Sequence, residues 1–193
     1  MPAARIAPCV YPQIGAPAGV KQIAWDPSGA GWSRFSRSSA DDELEIMRLL
    51  ARLAQAVDDR DADAYRDCLA DEVVSLVSDA SPNEVWRAVP REAYARRAVE
   101  SVSAFDWTHH RLCNFVIVVA GERAHGKVDV VAQMQAPRTD NGGAPPMLTV
   151  GGRYDLEFGK VATEWRITKR HMRTRYTIGD PAALARARGQ HHT

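Results

Sequence analysis

Apolar residues recur at three- and four-residue steps through Leu44, Met47, Leu50, Ala51, Ala54 and Val57, a spacing that predicts an amphipathic helix. Ser39, followed three residues later by Asp42, marks its start as a helix N-terminus. Asp58 lies four residues beyond Ala54, so it projects from the edge of the apolar stripe toward the core, while Asp59 and Arg60 point elsewhere. A second helix is expected over 62–69, with Tyr65, Cys68 and Leu69 inward. Residues 72–78 read as a short strand, and the segment that follows, through Pro82 and Asn83 to Val89, reads as a loop. Pro90 suits the first turn of a third helix, which runs to about Val102 on Tyr94, Ala98 and Val102.

The pattern then changes to four long β-type segments, over 107–120, 123–136, 147–160 and 163–177. Gly121 and Glu122 signal a tight hairpin, residues 140–146 a longer loop, and Gly159 the start of another turn. Helices followed by a meander of antiparallel strands make an α+β fold. Such a sheet buries one face by curving around the three N-terminal helices, and the resulting cone has an open end suited to a pocket. Residues 1–38 carry five prolines, a serine cluster and no period, which makes them an irregular arm. Its Trp25 and Trp32 are costly to leave in water and so should pack along the body or across a partner subunit. The folded domain is expected over 39–180, and residues 181–193 form an alanine- and arginine-rich tail.

The bulk properties narrow the function. A chain of 193 residues suits a single core. Its 25 basic and 24 acidic residues leave no field for nucleic acid. Its longest apolar runs are too short to span a bilayer, and the N-terminus has no secretory pattern, so the expected setting is cytoplasmic. Three scattered cysteines fit neither a disulfide framework nor a zinc site; Cys68 and Cys113 read as buried small hydrophobes.

The candidate chemistry rests on Asp58 and His110. In a helix-first, curved-sheet fold, an acid ending the first helix can reach a histidine at the mouth of the sheet. It would then hold the imidazole in the one tautomer that suits a general base. The bland alternative makes Asp58 a loop cap and His110 an edge-strand residue. Adjacent His109 points to the opposite face of its strand, so the pair is not expected to chelate a metal. Period two from His110 puts Leu112 and Asn114 on the pocket side, where Asn114 either meets substrate or satisfies a neighbouring strand. Trp86 and Tyr94 are candidates for the pocket mouth, Arg153 and Arg170 read as solvated or ion-paired, and Trp165 and Ile167 read as core.

Four fragments, in order over about 140 residues, resemble the SnoaL-like branch of the nuclear transport factor 2-like superfamily. They are Ala56–Asp61 with Leu69–Val73, Thr108–Asn114, Ala120–Ala124, and Gly152–Tyr154 followed by Trp165–Arg170. That branch includes dehydratases, dehydrochlorinases and polyketide cyclases, several of which pair a helix aspartate with a sheet histidine and use neither metal nor organic cofactor. The resemblance puts Asp58 and His110 at those two positions. It also puts Tyr154 at a pocket position, where it could donate to a developing enolate or be an ordinary strand aromatic. Val57 and Leu53 stand where scytalone dehydratase and ketosteroid isomerase, respectively, carry tyrosines. The resemblance thus implies a cofactor-independent lyase or isomerase, a dehydratase or cyclase acting on a small apolar oxygenated ring of secondary metabolism. The alternative is a non-catalytic binding or assembly subunit of the same fold. Strands such as 115–119 read as apolar on both faces, so a second copy is the expected cover, as a homodimer or trimer.

Overall fold

A computed structural model describes residues 37–77, 85–138 and 144–179. The chain divides into two units, 1–35 and 36–193. The first lies outside the described residues, as does the tail from 181, so the expectations for the N-terminal arm and for the tail fall there.

Helix α1 spans Arg37–Asp58, beginning two residues before the expected Ser39 start and ending on the expected acid. Its buried face is Ile46, Leu49, Leu50, Leu53, Ala56 and Val57. Leu44 and Met47, assigned inward by the spacing, are 45% and 38% exposed. Two apolar stripes compete on this helix; the buried one carries Ile46, Leu49, Leu50 and Leu53, while the other mixes Leu44 and Met47 with Ala51 and Ala54. Larger side chains remove more apolar surface from water.

Arg60 takes a left-handed backbone, φ 58°, to turn the chain, and its guanidinium donates to the Phe105 carbonyl. Helix α2 follows over Ala62–Asp67, capped by the Asp61 side chain accepting from the Ala64 amide at 2.9 Å. It is shorter than expected because Leu69 already begins strand β1, Leu69–Val77. Tyr65, Cys68 and Leu69 are buried. The expected loop to Val89 instead holds strand β2, Val85–Pro90, paired antiparallel with β1 from Val77↔Val85 to Glu72↔Pro90. Pro82 and Asn83 signal a break, but the β-branched and aromatic residues beyond them make an edge strand that needs only one neighbour. Helix α3 spans Arg91–Glu100, with Pro90 at its N-cap rather than in its first turn.

Strands β3 (Trp107–Ala120), β4 (Arg123–Gln135), β5 (Met147–Val161) and β6 (Glu164–Gly179) complete a curved, unclosed sheet of order β2-β1-β6-β5-β4-β3. Every neighbouring pair is antiparallel except β1 with β6. Gly121, at φ 62°, makes the β3–β4 hairpin. Gly159 does not start a turn: it pairs with Arg123 and Arg166 inside β5, and the chain reverses at Ala162, φ 56°. Alternate residues of β4 and β5, among them Val128, Val130, Leu156 and Phe158, close over the helices as the core.

The opposite face is more polar than the sequence implies. Ion pairs Asp129–Arg153, Asp155–Arg173 and Glu157–Lys169 run across it, so much of it needs no apolar cover. Cys113, expected to be buried, is exposed there, whereas Cys68 is buried and its thiol is pushed up to about 11 by burial, out of the range of a nucleophile. Among the described residues no helix is long and apolar enough to cross a membrane.

The two faces of α1 can be told apart by substitution. Leu49→Ala, which opens a cavity in the core, should destabilise by about 2–5 kcal/mol. Met47→Ala, on the exposed stripe, should cost less than about 1 kcal/mol. Urea denaturation of the two variants checks the assignment; equal losses would contradict it.

Candidate active site

The end of α1 brings a carboxylate to the inner face of β3. Asp58 Oδ1 lies 2.7 Å from His110 Nδ1 and accepts the Thr108 hydroxyl at 2.7 Å, while Oδ2 accepts the His110 amide at 2.8 Å. Both side chains are shielded, 17% exposed for Asp58 and 13% for His110. An anion at a helix C-terminus faces the negative end of the helix dipole, so these three donors are what make the position tolerable. Burial opposes the charge on Asp58, but the hydrogen bonds from His110 and Thr108 outweigh it and hold the carboxyl below its ordinary pKa. An ionised Asp58 can only accept. Nδ1 of His110 must therefore carry a proton, and in the neutral ring Nε2 then keeps a free lone pair.

His110 lines a cavity of about 90 Å³ whose walls come from all three helices and three strands. Leu53, Val57, Ala98, Val102 and Leu112 form its apolar walls, and Tyr65, Ser101, His110, Tyr154 and Arg170 supply the polar groups. Arg170 donates to Tyr94 Oη at 3.0 Å and to Tyr154 Oη at 2.6 Å, and its guanidinium sits 4.3 Å from the centre of the Tyr154 ring. Among the described residues no carboxylate pairs with it, and its buried Nε has no hydrogen-bond partner. Burial pushes the Tyr65 phenol well above its ordinary pKa. Burial also opposes ionisation of Tyr94, but the Arg170 guanidinium overrides it and draws that phenol below its usual value.

Asp58, His110 and Tyr154 thus come together, with Tyr94 one hydrogen bond behind the cavity wall. Asn114 and Trp86 do not join them. Asn114 is the left-handed residue (φ 51°) of a bulge between Cys113 and Val116, and it donates outward to Asp129 Oδ2 at 2.9 Å. Beyond the bulge the inward positions of β3 become Phe115, Ile117 and Val119, so the period-two count from His110 fails at Asn114. Trp86 packs on Lys169, 4.8 Å from its ring centre, and on His171. Lys169 pairs with Glu157 on the face opposite the cavity.

Two site residues were missed from sequence. Thr108 was legible, since it stands two residues before His110 on the same strand face. Arg170 was not. Counting by two from Trp165 and Ile167 puts it outside, but the register shifts between Phe158↔Ile167 and Glu157↔Lys169, and the extra residue, Thr168, turns Arg170 inward opposite Leu156. Arg153 is ion-paired as expected, 2.6 Å from Asp129. A larger open depression of about 510 Å³ lies between α1, α2 and the start of β6, but charged side chains such as Arg52, Asp59 and Glu164 line it and the dyad is elsewhere. Among the described residues no His, Cys, Asp or Glu cluster could hold a metal ion.

Comparison with known proteins agrees with this architecture. A family model described as a SnoaL-like domain matches residues 38–171. The Kfla4162 protein of Kribbella flavida superposes with a TM-score of 0.66 at 27% identity, covering 76% of this chain and 98% of that one. A putative scytalone dehydratase from Novosphingobium aromaticivorans gives 0.61 at 19% identity, covering 73% and 89%. A hexachlorocyclohexane dehydrochlorinase from Novosphingobium barchaimii gives 0.56 at 14% identity, covering 74% and 92%. The last two similarities show a shared fold. No curated protein matches the chain.

The lowered pKa of Asp58 has a stability consequence of definite sign. Its contribution is complete above the ordinary carboxylate pKa of about 4 and is lost as pH falls through the lower folded value. Asp58→Asn should therefore be less stable than wild type at pH 6, and the gap should narrow as both are taken well below pH 4. Urea midpoints at the two pH values measure it; a gap that is constant or widens in acid would show that the carboxylate is not held as described.

Proposed function

The chain belongs to the SnoaL-like domain family, and from the geometry of its cavity we infer that it is a lyase or isomerase, a dehydratase or cyclase that uses Asp58 and His110 as a general base without a cofactor. The observation that carries this reading is the 2.7 Å contact between His110 Nδ1 and Asp58 beside a cavity that has apolar walls and also holds Arg170. His110 Nε2 takes a proton from a carbon next to a carbonyl, and the electron pair of that C–H bond moves to the carbonyl oxygen as an enolate. Asp58 stabilises the imidazolium that forms. Tyr154 and Arg170 supply hydrogen-bond donors for the developing oxyanion, since Arg170 donates to the Tyr154 oxygen and leaves the phenolic proton free for substrate. When a hydroxyl lies β to the carbonyl, the enolate expels it, and the imidazolium proton leaves with it as water. Where no leaving group is present, the same proton returns to another carbon and the outcome is isomerisation; where the enolate carbon attacks a second carbonyl of the substrate, a C–C bond closes the ring and the imidazolium proton goes to the alkoxide that forms.

The wall of leucine, valine and alanine favours an apolar ring, and the tyrosine–arginine end favours an oxygen on it. The expected substrate is a small oxygenated ring compound of the polyketide-like or other secondary-metabolite kind. The rival reading, a non-catalytic binding or assembly subunit, draws on the volume: about 90 Å³ is well below the usual size of a substrate pocket, so a ring must widen it or enter by its reacting edge.

His110→Ala and Asp58→Asn should each lower turnover of such a substrate by roughly 10²–10⁴-fold without unfolding the protein, and the double variant should lose little more than the worse single one. Near-normal turnover in either single variant would favour the binding reading. Turnover should rise with pH through one ionisation, as the imidazole loses its proton, and then level off. Chelator should not change it. Activity lost to chelator and restored by a divalent ion would overturn the cofactor-free reading.

A further inference from the structure

We propose that Thr108 is a positioning residue that sets the proton affinity of the Asp58–His110 pair by occupying the carboxylate oxygen that would otherwise serve the imidazole alone. The proposal rests on the reading of that pair as a proton acceptor and adds a residue to it. Thr108 is buried, 8% exposed. Its hydroxyl donates to Oδ1 at 2.7 Å, the same oxygen that faces His110 Nδ1 at 2.7 Å, while Oδ2 takes the His110 amide at 2.8 Å. Two donors on one oxygen divide its negative charge. Each bond to a carboxylate favours the ionised form and makes that oxygen a weaker partner for the imidazolium.

The strand makes this arrangement specific. Thr108 and His110 stand two apart on the inner face of β3, so one hydroxyl, one amide and one ring nitrogen converge on a single carboxylate. A hydroxyl in this place does two things. It prevents rotation of the Asp58 carboxylate about its last bond, and it moderates the pull of the carboxylate on the imidazole proton. A base that holds its proton less tightly can give it up again later in the reaction, when a leaving hydroxyl needs it.

The other titratable groups that line the cavity with His110 are Tyr65 from α2, Tyr154 from β5 and Arg170 from β6, and on β4 the residue opposite His110 is Ala132. None of these is altered by changing Thr108. Thr108→Val keeps the shape and removes the donor, so the titration midpoint of the His110 imidazole should rise. Thr108→Ala should move it the same way, and Thr108→Ser should return it toward wild type.

The test is an NMR titration of the substrate-free protein, with the His110 signal identified by its absence in His110→Asn. A midpoint that rises in the valine and alanine variants and recovers in serine supports the proposal. A midpoint that stays or falls in either of the first two, or a serine variant that behaves as valine does, overturns it. Wild-type protein gives a reading that needs no variant. The Thr108 hydroxyl proton should be protected from exchange and should shift as His110 titrates; a hydroxyl signal blind to that titration also overturns the proposal. Because no turnover enters these readouts, failure here removes Thr108 alone, whereas undiminished turnover in the dyad variants removes the catalytic reading.

Discussion

A carboxylate at the C-terminal end of a helix is electrostatically misplaced, and Asp58 is held there by three hydrogen bonds from β3. That clamp ties the first element of the domain to a strand that begins about fifty residues later. It fixes how far α1 slides along the sheet, because the bond lengths allow little play, and it fixes the tautomer of His110. The contacts of α1 through Leu49, Leu50 and Leu53 are apolar and directionless, but Asp42 nearer its other end accepts from Trp165 Nε1 at 2.9 Å and pairs with Lys160 at 2.7 Å. The leucines hold the helix against the sheet, and the polar contacts at Asp58 and Asp42 specify one register.

The cavity beyond the clamp is built on a second, less balanced interaction. Arg170 carries a full charge inside the cone and meets tyrosine hydroxyls rather than a carboxylate. Neutral oxygens compensate a guanidinium only partly. An arginine in that condition has capacity left for an oxygen on a ligand, at the cost of some stability while the cavity is empty. With His110 on one wall and Arg170 on the same cavity, the proposed base and the proposed oxyanion partner come from separate strands. Their spacing is set by the curvature of the sheet between them.

Two irregularities in the strands decide what faces that cavity. The bulge at Asn114 turns its amide outward to Asp129, and it brings Phe115, Ile117 and Val119 onto the core side in place of the even-numbered positions. The extra residue at Thr168 does the reverse for β6, moving Arg170 from the expected solvent face to the interior. A strand with an inserted residue changes the face of every side chain beyond it. The same parity rule explains the ion-paired outer face, where Asp129, Arg153, Asp155, Lys169 and Arg173 fall together.

What the sequence determined by itself was periodic or local. Three helices, four long strands, the helix end at Asp58 and the place of His110 near the start of β3 followed from spacing, and Thr108 was readable by the same count. The family resemblance rested on those fragments in order. Tertiary structure decided the rest. Which of two apolar stripes on α1 is buried depends on what the sheet offers in return, and Ile46 and Leu49 turned inward there while Leu44 and Met47 stayed exposed. Whether 85–90 is loop or strand depends on an edge of β1 being free to pair. Whether Asn114 and Arg170 face in or out depends on bulges set by strand register, a relation between segments distant in sequence. Side-chain periodicity is a property of one segment, but the direction a side chain finally takes is a property of the pair it belongs to.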